Sequence, residues 1–118
     1  MKKLTPEQKH ILIDKGTEPA FSGELLHNEK TGEYKCPQCG NLLFKSKHKF
    51  DSGSGWPSFT EPATKDSIEY KEDTTLGMIR VEAVCKKCKG HLGHVFNDGP
   101  KKGKRFCVNS EALRFEGK

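Results

Sequence analysis

A chain of 118 residues, 32% of them hydrophobic, has room for one thin core, and a single domain spanning 1–118 is expected. Lys and Arg outnumber Asp and Glu by 21 to 16, and this net charge of +5 is scattered rather than gathered into the basic stripe of a nucleic-acid surface. No apolar run approaches a membrane span, and Ile11 to Ile13 is too short for a signal-peptide core.

The first predicted element is a helix. Thr5 suits the N-cap, Pro6 the first helical position, and Gln8 completes a T-x-x-Q capping box, with Gly16 as the stop. "TEPAFSGELLHNEKTGEY" then reads as loop and turn. Beyond residue 32 the helical period gives way to short runs: "GEYKC", "NLLFK", "SIEYK", "MIRVEAVC", "HVFND", "RFCVN" and "LRFE". Gly, Asp, Asn, Ser and Pro separate them, as between short antiparallel strands. In "MIRVEAVC" the alternation places Ile79, Val81 and Ala83 on a buried face and Arg80 and Glu82 on a wet one. The class is mainly β with an N-terminal helical arm. The basic cluster Lys101, Lys102, Lys104 and Arg105 has no interleaved aromatics and reads as a solvated loop.

Four of the five cysteines form two hooks, Cys36-x2-Cys39 and Cys85-x2-Cys88. Thiolates two residues apart on a tight turn reach one ion, and two hooks complete a tetrahedral sulfur shell, the pattern of structural Zn2+. The 45 residues from 40 to 84 separate the hooks, so one ion would tie two distant hairpins together. A redox dithiol would call for a βαβ context that is missing, and a catalytic zinc would need an open position. "HNE" at His27–Glu29 mimics half of a zinc-deaminase signature, but "CPQC" lacks the proline before its first cysteine. Close CxxC pairs and an odd cysteine count point to a reducing, cytoplasmic compartment.

The fifth cysteine stands alone in "RFCVN". On a strand, Phe106 and Val108 face the core while Arg105, Cys107 and Asn109 share the opposite face. A neighbouring guanidinium favours thiolate, so Cys107 is a candidate nucleophile; the alternative is a cysteine packed as a small hydrophobe. In "HLGHVFND", His91 and His94 are either ordinary loop histidines or acid/base partners for that thiol. Trp56, in "DSGSGWPSF", is either a core anchor or the wall of an apolar pocket. A different class of function, a zinc-ribbon-like binding module, would use the hooks and lysines but give no task to Cys107, His94 or Trp56.

Taken together, "LTPEQ", "KGTEPAFSGE", "CPQCG", "KFDSGSGWPSF", "CKKCKGHLGHVFNDGP" and "RFCVNSEALRF" resemble the B-type methionine sulfoxide reductases. The resemblance implies two antiparallel sheets in a sandwich-like, Mss4-like arrangement, with one structural zinc on Cys36, Cys39, Cys85 and Cys88. It implies Cys107 as the nucleophile on methionine-R-sulfoxide, free or in oxidised proteins, and a sulfenic acid as the product on the enzyme. Arg105 would support the thiolate and Asn109 would bond within the site. His94 and His91 would place and supply the proton, with Asp98 helping to orient them, and Trp56 would receive the S-methyl group. Many relatives carry a resolving cysteine at the position of Ser54; here regeneration would fall to thioredoxin, glutaredoxin or a small thiol. No nucleic-acid or membrane partner is expected, and a monomer is.

Overall fold

The computed structural model describes residues 3–74, 77 and 79–117. Helix α1 (Pro6–Leu12) starts as its capping box dictates: the Gln8 N–H donates to Thr5 Oγ1 at 3.1 Å, and the Thr5 N–H donates to Gln8 Oε1 at 3.0 Å. It ends at Leu12, about a turn before the expected Gly16 stop. Lys15 takes a left-handed φ of 57° and the Gly16 N–H returns to the His10 carbonyl, so the chain has turned before the glycine is reached. Ile11 and Leu12 are buried, whereas Ile13 is half exposed.

Among the described residues, nine strands form two antiparallel sheets. The smaller pairs β1 (Gly32–Lys35) with both β2 (Leu42–Lys45) and β9 (Arg114–Gly117). The larger contains β3 (Lys49–Phe50), β4 (Ser58–Phe59), β5 (Ile68–Asp73), β6 (Arg80–Cys85), β7 (His91–Phe96) and β8 (Arg105–Val108). Its order is β3-β4-β8-β7-β6-β5. The mainly β, two-sheet expectation is met, and the two short strands inside "KFDSGSGWPSF" are additions that the glycine-rich sequence hides. Aromatic rings bridge the sheets: Phe44 stacks on Phe59 at 4.2 Å, and Tyr34 meets Phe59 edge-on at 5.1 Å. Among the described residues, no helix is long and apolar enough to cross a membrane.

The face assignment in β6 holds only in part. Ala83 is fully buried, but Val81 is 42% and Ile79 82% exposed, because the β5–β6 hairpin runs past the edge of the core. Glu82, expected in water, is 4% exposed. Its face is covered by the chain leaving α1 and by β7, and its carboxylate is satisfied there by His91 and Lys15. Met78, placed in this strand by the sequence pattern, lies outside the described residues.

Candidate active site

Strands β7 and β8 bring the chemistry together. Their register sets His94 directly opposite Cys107, with Phe96 opposite Arg105 and Gly93 opposite Val108. The glycine is required: a Cβ at position 93 would run into the Cys107 carbonyl. On the far side of β8, Ser58 pairs with Cys107, so β4 carries the preceding loop, with Ser54 and Trp56, back over the same sulfur. As the alternation requires, Phe106 and Val108 are buried in the core. Arg105, Cys107 and Asn109 line a cavity of about 220 Å3 together with Trp56, Phe96 and His94.

The N-terminal arm closes one wall of this cavity. The Glu18 N–H donates to Asn109 Oδ1 at 3.0 Å, and the Trp56 indole N–H donates to the Glu18 carbonyl at 2.9 Å. Asn109 Nδ2 also donates to the Leu92 carbonyl at 2.9 Å, so one amide fastens the arm to β7. Farther along, the Phe21 N–H donates to the Gly55 carbonyl at 2.7 Å, and Gly55 has a left-handed φ of 95° where Ala20 leaves no room for a Cβ.

Two carboxylates hold the imidazoles. His94 Nε2 lies 2.7 Å from Asp73 Oδ2, and Asp73 also meets Arg80 at 3.4 Å. His91 Nδ1 lies 2.7 Å from Glu82 Oε2, both groups being almost fully buried. The rings meet edge-on at 5.6 Å, with His91 in a second cavity behind His94 that also contains Lys15, Asp73 and Glu82. Burial pushes the His91 imidazole below its ordinary range, against the opposing pull of Glu82. Asp98 does not touch the histidines. It binds Arg105 through both oxygens, at 2.8 and 3.3 Å, and that pairing holds its carboxyl below the usual carboxylate range. The basic cluster around it divides, with Arg105 lining the cavity and Lys104 lying over the Tyr70 ring.

The thiol itself is less acidic than the sequence suggests. Burial pushes Cys107 above its ordinary value; a hydrogen bond with Ser54 at 3.7 Å and the charge of Arg105 pull it down without offsetting that cost. Glu82, Asp73 and the backbone of Glu18 escaped sequence reading. A carboxylate in the middle of the apolar run "RVEAV" was the available signal for Glu82.

Outside this cavity, the sulfurs of Cys36, Cys39, Cys85 and Cys88 all lie within 4.8 Å of one another, with Cys36–Cys88 at 3.6 Å and Cys39–Cys85 at 3.5 Å. A tetrahedral zinc with bonds of about 2.3 Å sets its sulfurs about 3.8 Å apart, so this donor set fits the ion. Asn41 Nδ2 donates to Cys85 Sγ at 3.6 Å, and hydrogen bonding, first from Cys36, holds the Cys85 thiol below its usual value.

The SelR domain matches residues 4–117. Over 115 residues the chain is 55% identical to the peptide methionine sulfoxide reductase MsrB of Photorhabdus laumondii, covering 97% of this chain and 85% of that one. Over 118 residues it is 52% identical to the MsrB of Bradyrhizobium diazoefficiens, covering 99% and 85%. Against the mitochondrial methionine-R-sulfoxide reductase B3 of Mus musculus the identity is 53%, covering 97% of this chain and 46% of the mouse protein, so it spans about half of that relative. The chain belongs to the SelR-domain family of MsrB peptide methionine sulfoxide reductases.

Proposed function

We propose that the protein reduces methionine-R-sulfoxide, free or within oxidised polypeptides, with Cys107 as nucleophile. The observation that carries this reading is the shared cavity: a thiol, the imidazole paired to it across two strands, and an indole wall, all opening on one space the size of a side chain. The thiolate attacks the sulfoxide sulfur while His94 gives a proton to its oxygen; the resulting hydroxyl passes to Cys107 Sγ as the S–O bond breaks, and the transient S–S bond breaks to release the thioether. Thiolate, sulfoxide and proton become a thioether and a cysteine sulfenic acid. With Nε2 engaged by Asp73, Nδ1 is the ring nitrogen that serves the cavity. His91 holds its tautomer through Glu82 and supports His94 from behind. Arg105, oriented by Asp98 and laid over the Phe96 ring at 4.5 Å, stabilises the thiolate, and Asn109 anchors the arm.

Selectivity for the R epimer follows if Trp56 receives the methyl, His94 the oxygen, and the cavity mouth the rest of the chain. The four cysteines outside the cavity hold one structural Zn2+, which leaves Cys107 as the single cysteine of the cycle. An external thiol such as thioredoxin, glutaredoxin or a small thiol attacks the sulfenic acid, releasing water and leaving a mixed disulfide. A second thiol then restores Cys107. Close CxxC pairs and an odd cysteine count support a reducing, cytoplasmic setting, and we take the working form to be the monomer.

The test is turnover of the separated R and S sulfoxides with dithiothreitol. The R epimer alone should be consumed, and Cys107→Ser should abolish turnover while retaining zinc. Normal turnover by Cys107→Ser would refute the assignment. Intact mass after one turnover without reductant should show one added oxygen; an intramolecular disulfide at Cys107 would refute the one-cysteine cycle.

A further inference from the structure

Behind Cys107 lies a row of three hydroxyls that the proposed chemistry does not use. Ser54 Oγ is 3.7 Å from Cys107 Sγ, Ser52 Oγ is 2.8 Å from Ser54 Oγ, and Ser58 Oγ is 2.7 Å from Ser52 Oγ. At the far end the Ser58 hydroxyl donates to the Trp56 carbonyl at 3.1 Å, and Ser58 itself is 1% exposed. Backbone N–H groups point into the row as well, from Ser54 to Ser52 Oγ at 3.3 Å and from Trp56 to Ser54 Oγ at 3.5 Å. These N–H groups are fixed donors that pin the oxygens of Ser52 and Ser54, so reversal of the row falls to the hydroxyl hydrogens.

A hydroxyl has one hydrogen to give, and two oxygens 2.7 to 2.8 Å apart need one hydrogen between them. This leaves two consistent arrangements. When Cys107 is a thiol, its S–H points to Ser54, Ser54 donates to Ser52, Ser52 to Ser58, and Ser58 to the Trp56 carbonyl. When Cys107 is a thiolate, Ser54 must donate to sulfur. Ser52 then has to donate to Ser54 and Ser58 to Ser52, at the loss of the Ser58–Trp56 bond. Turning Ser54 alone would leave two oxygens facing each other without a hydrogen, so the row reverses as a unit.

We infer that Ser54, backed by Ser52 and Ser58, is a donor set that activates Cys107 by reversing this three-hydroxyl row when the thiol ionises. Ser54 touches the reacting sulfur, while Ser52 and Ser58 are positioning residues that act through it. The inference rests on Cys107 being the nucleophile, and it gives Ser54 a task other than disulfide formation. Among the pulls that act against the burial of Cys107, the hydrogen bond from Ser54 is the largest, ahead of the charge of Arg105. The other charged or titratable groups near the sulfur are Arg105 on its own strand, His94 on β7 with Asp73 behind it, Arg80 on β6, and Asp98 beyond Arg105.

The experiment measures alkylation of Cys107 by iodoacetamide between about pH 6.5 and 11.5 on the zinc-loaded full chain, read from the mass of the Cys107 peptide. It needs no sulfoxide, so its outcome is independent of substrate turnover. Ser54→Ala should raise the midpoint by about one pH unit, roughly a tenfold slower reaction at neutral pH. Ser54→Thr, which keeps the hydroxyl, should restore the midpoint, and Ser52→Ala should raise it by less than Ser54→Ala does. Thermal melts of all three variants check that the fold is intact. An unshifted Ser54→Ala would overturn the inference, as would a Ser54→Thr variant as impaired as the alanine. A Ser52→Ala variant that titrates like the wild type would overturn the row behind Ser54.

Discussion

Each imidazole near Cys107 has its own carboxylate, and the two couples differ in burial. Asp73 and His94 are each 14% exposed at the side chain, against 4 to 5% for His91 and Glu82. A carboxylate on Nε2 fixes the orientation of the ring and leaves Nδ1 for the cavity that His94 lines, the geometry that the proposed proton donation requires. His94→Ala should therefore slow formation of the sulfenic acid by roughly 100-fold or more. Asp73→Asn, which keeps the shape and loses the charge, should slow it less. Rapid-quench single-turnover rates check both, and an unchanged rate in His94→Ala would remove its acid role. His91 belongs to a stability question instead. Its folded pKa is depressed, chiefly by burial, so in acid the unfolded chain binds more protons than the native one. The stability that a neutral His91 contributes is complete above about pH 6.5 and is lost as pH falls through the lower folded value. Melting temperatures at pH 7.5 and 5.5 should thus fall more steeply for the wild type than for His91→Gln. Zinc loss on acidification is common to both proteins, so the difference isolates the ring.

The elements that build the cavity were unequally legible. Strand β8 followed from alternation alone, because Phe106 and Val108 are apolar on one side and Arg105, Cys107 and Asn109 polar on the other. The helix start was equally plain in Thr5, Pro6 and Gln8. What alternation could not give was that the supposed wet face of β6 is roofed by the arm, making Glu82 a buried partner of His91. Nor could sequence separation reveal that Asp73, on β5, reaches His94 two strands away, whereas Asp98, only four residues from His94, turns to Arg105 instead. The arm itself is irregular and is held by point contacts, so no periodicity announces it. Those contacts make it testable. Asn109 accepts from the Glu18 N–H and donates to the Leu92 carbonyl; Asn109→Ala leaves the buried Glu18 N–H unpaired, while the Leu92 carbonyl keeps the backbone N–H of residue 109, and should cost about 1 to 3 kcal/mol of stability. Because Glu18 also holds the Trp56 indole, the same change should lower kcat/KM for the sulfoxide. Thermal melts with steady-state kinetics check the pair of effects; a stability loss with unaltered kcat/KM would separate the arm from the cavity.

On the scale of the whole molecule, the two cysteine hooks occupy equivalent places in different sheets. Cys36 and Cys39 lie in the turn between β1 and β2 of the smaller sheet, while Cys85 and Cys88 lie at the end of β6 and in its turn toward β7. An ion held by all four would close the long loop between the hooks and fasten the sheets at one end. Such a fastening would reach the cavity through β7, since the strand that begins just after the second hook carries both His91 and His94. Structural zinc contributes on the order of 10 kcal/mol to folding in small domains, a sum comparable with the entire stability of a domain this size. Removing it should therefore lower the melting temperature steeply and lower activity as a consequence of lost order. Cys88→Ser and prolonged chelation should agree in both effects, whereas Cys107→Ser should lose turnover and keep its melting temperature. Differential scanning calorimetry alongside a colorimetric assay of released zinc distinguishes the cases. If the chelated protein melted where the loaded one does, the aromatic contacts of Phe44, Phe59 and Tyr34 would suffice to hold the sheets, and the metal would not be the clamp.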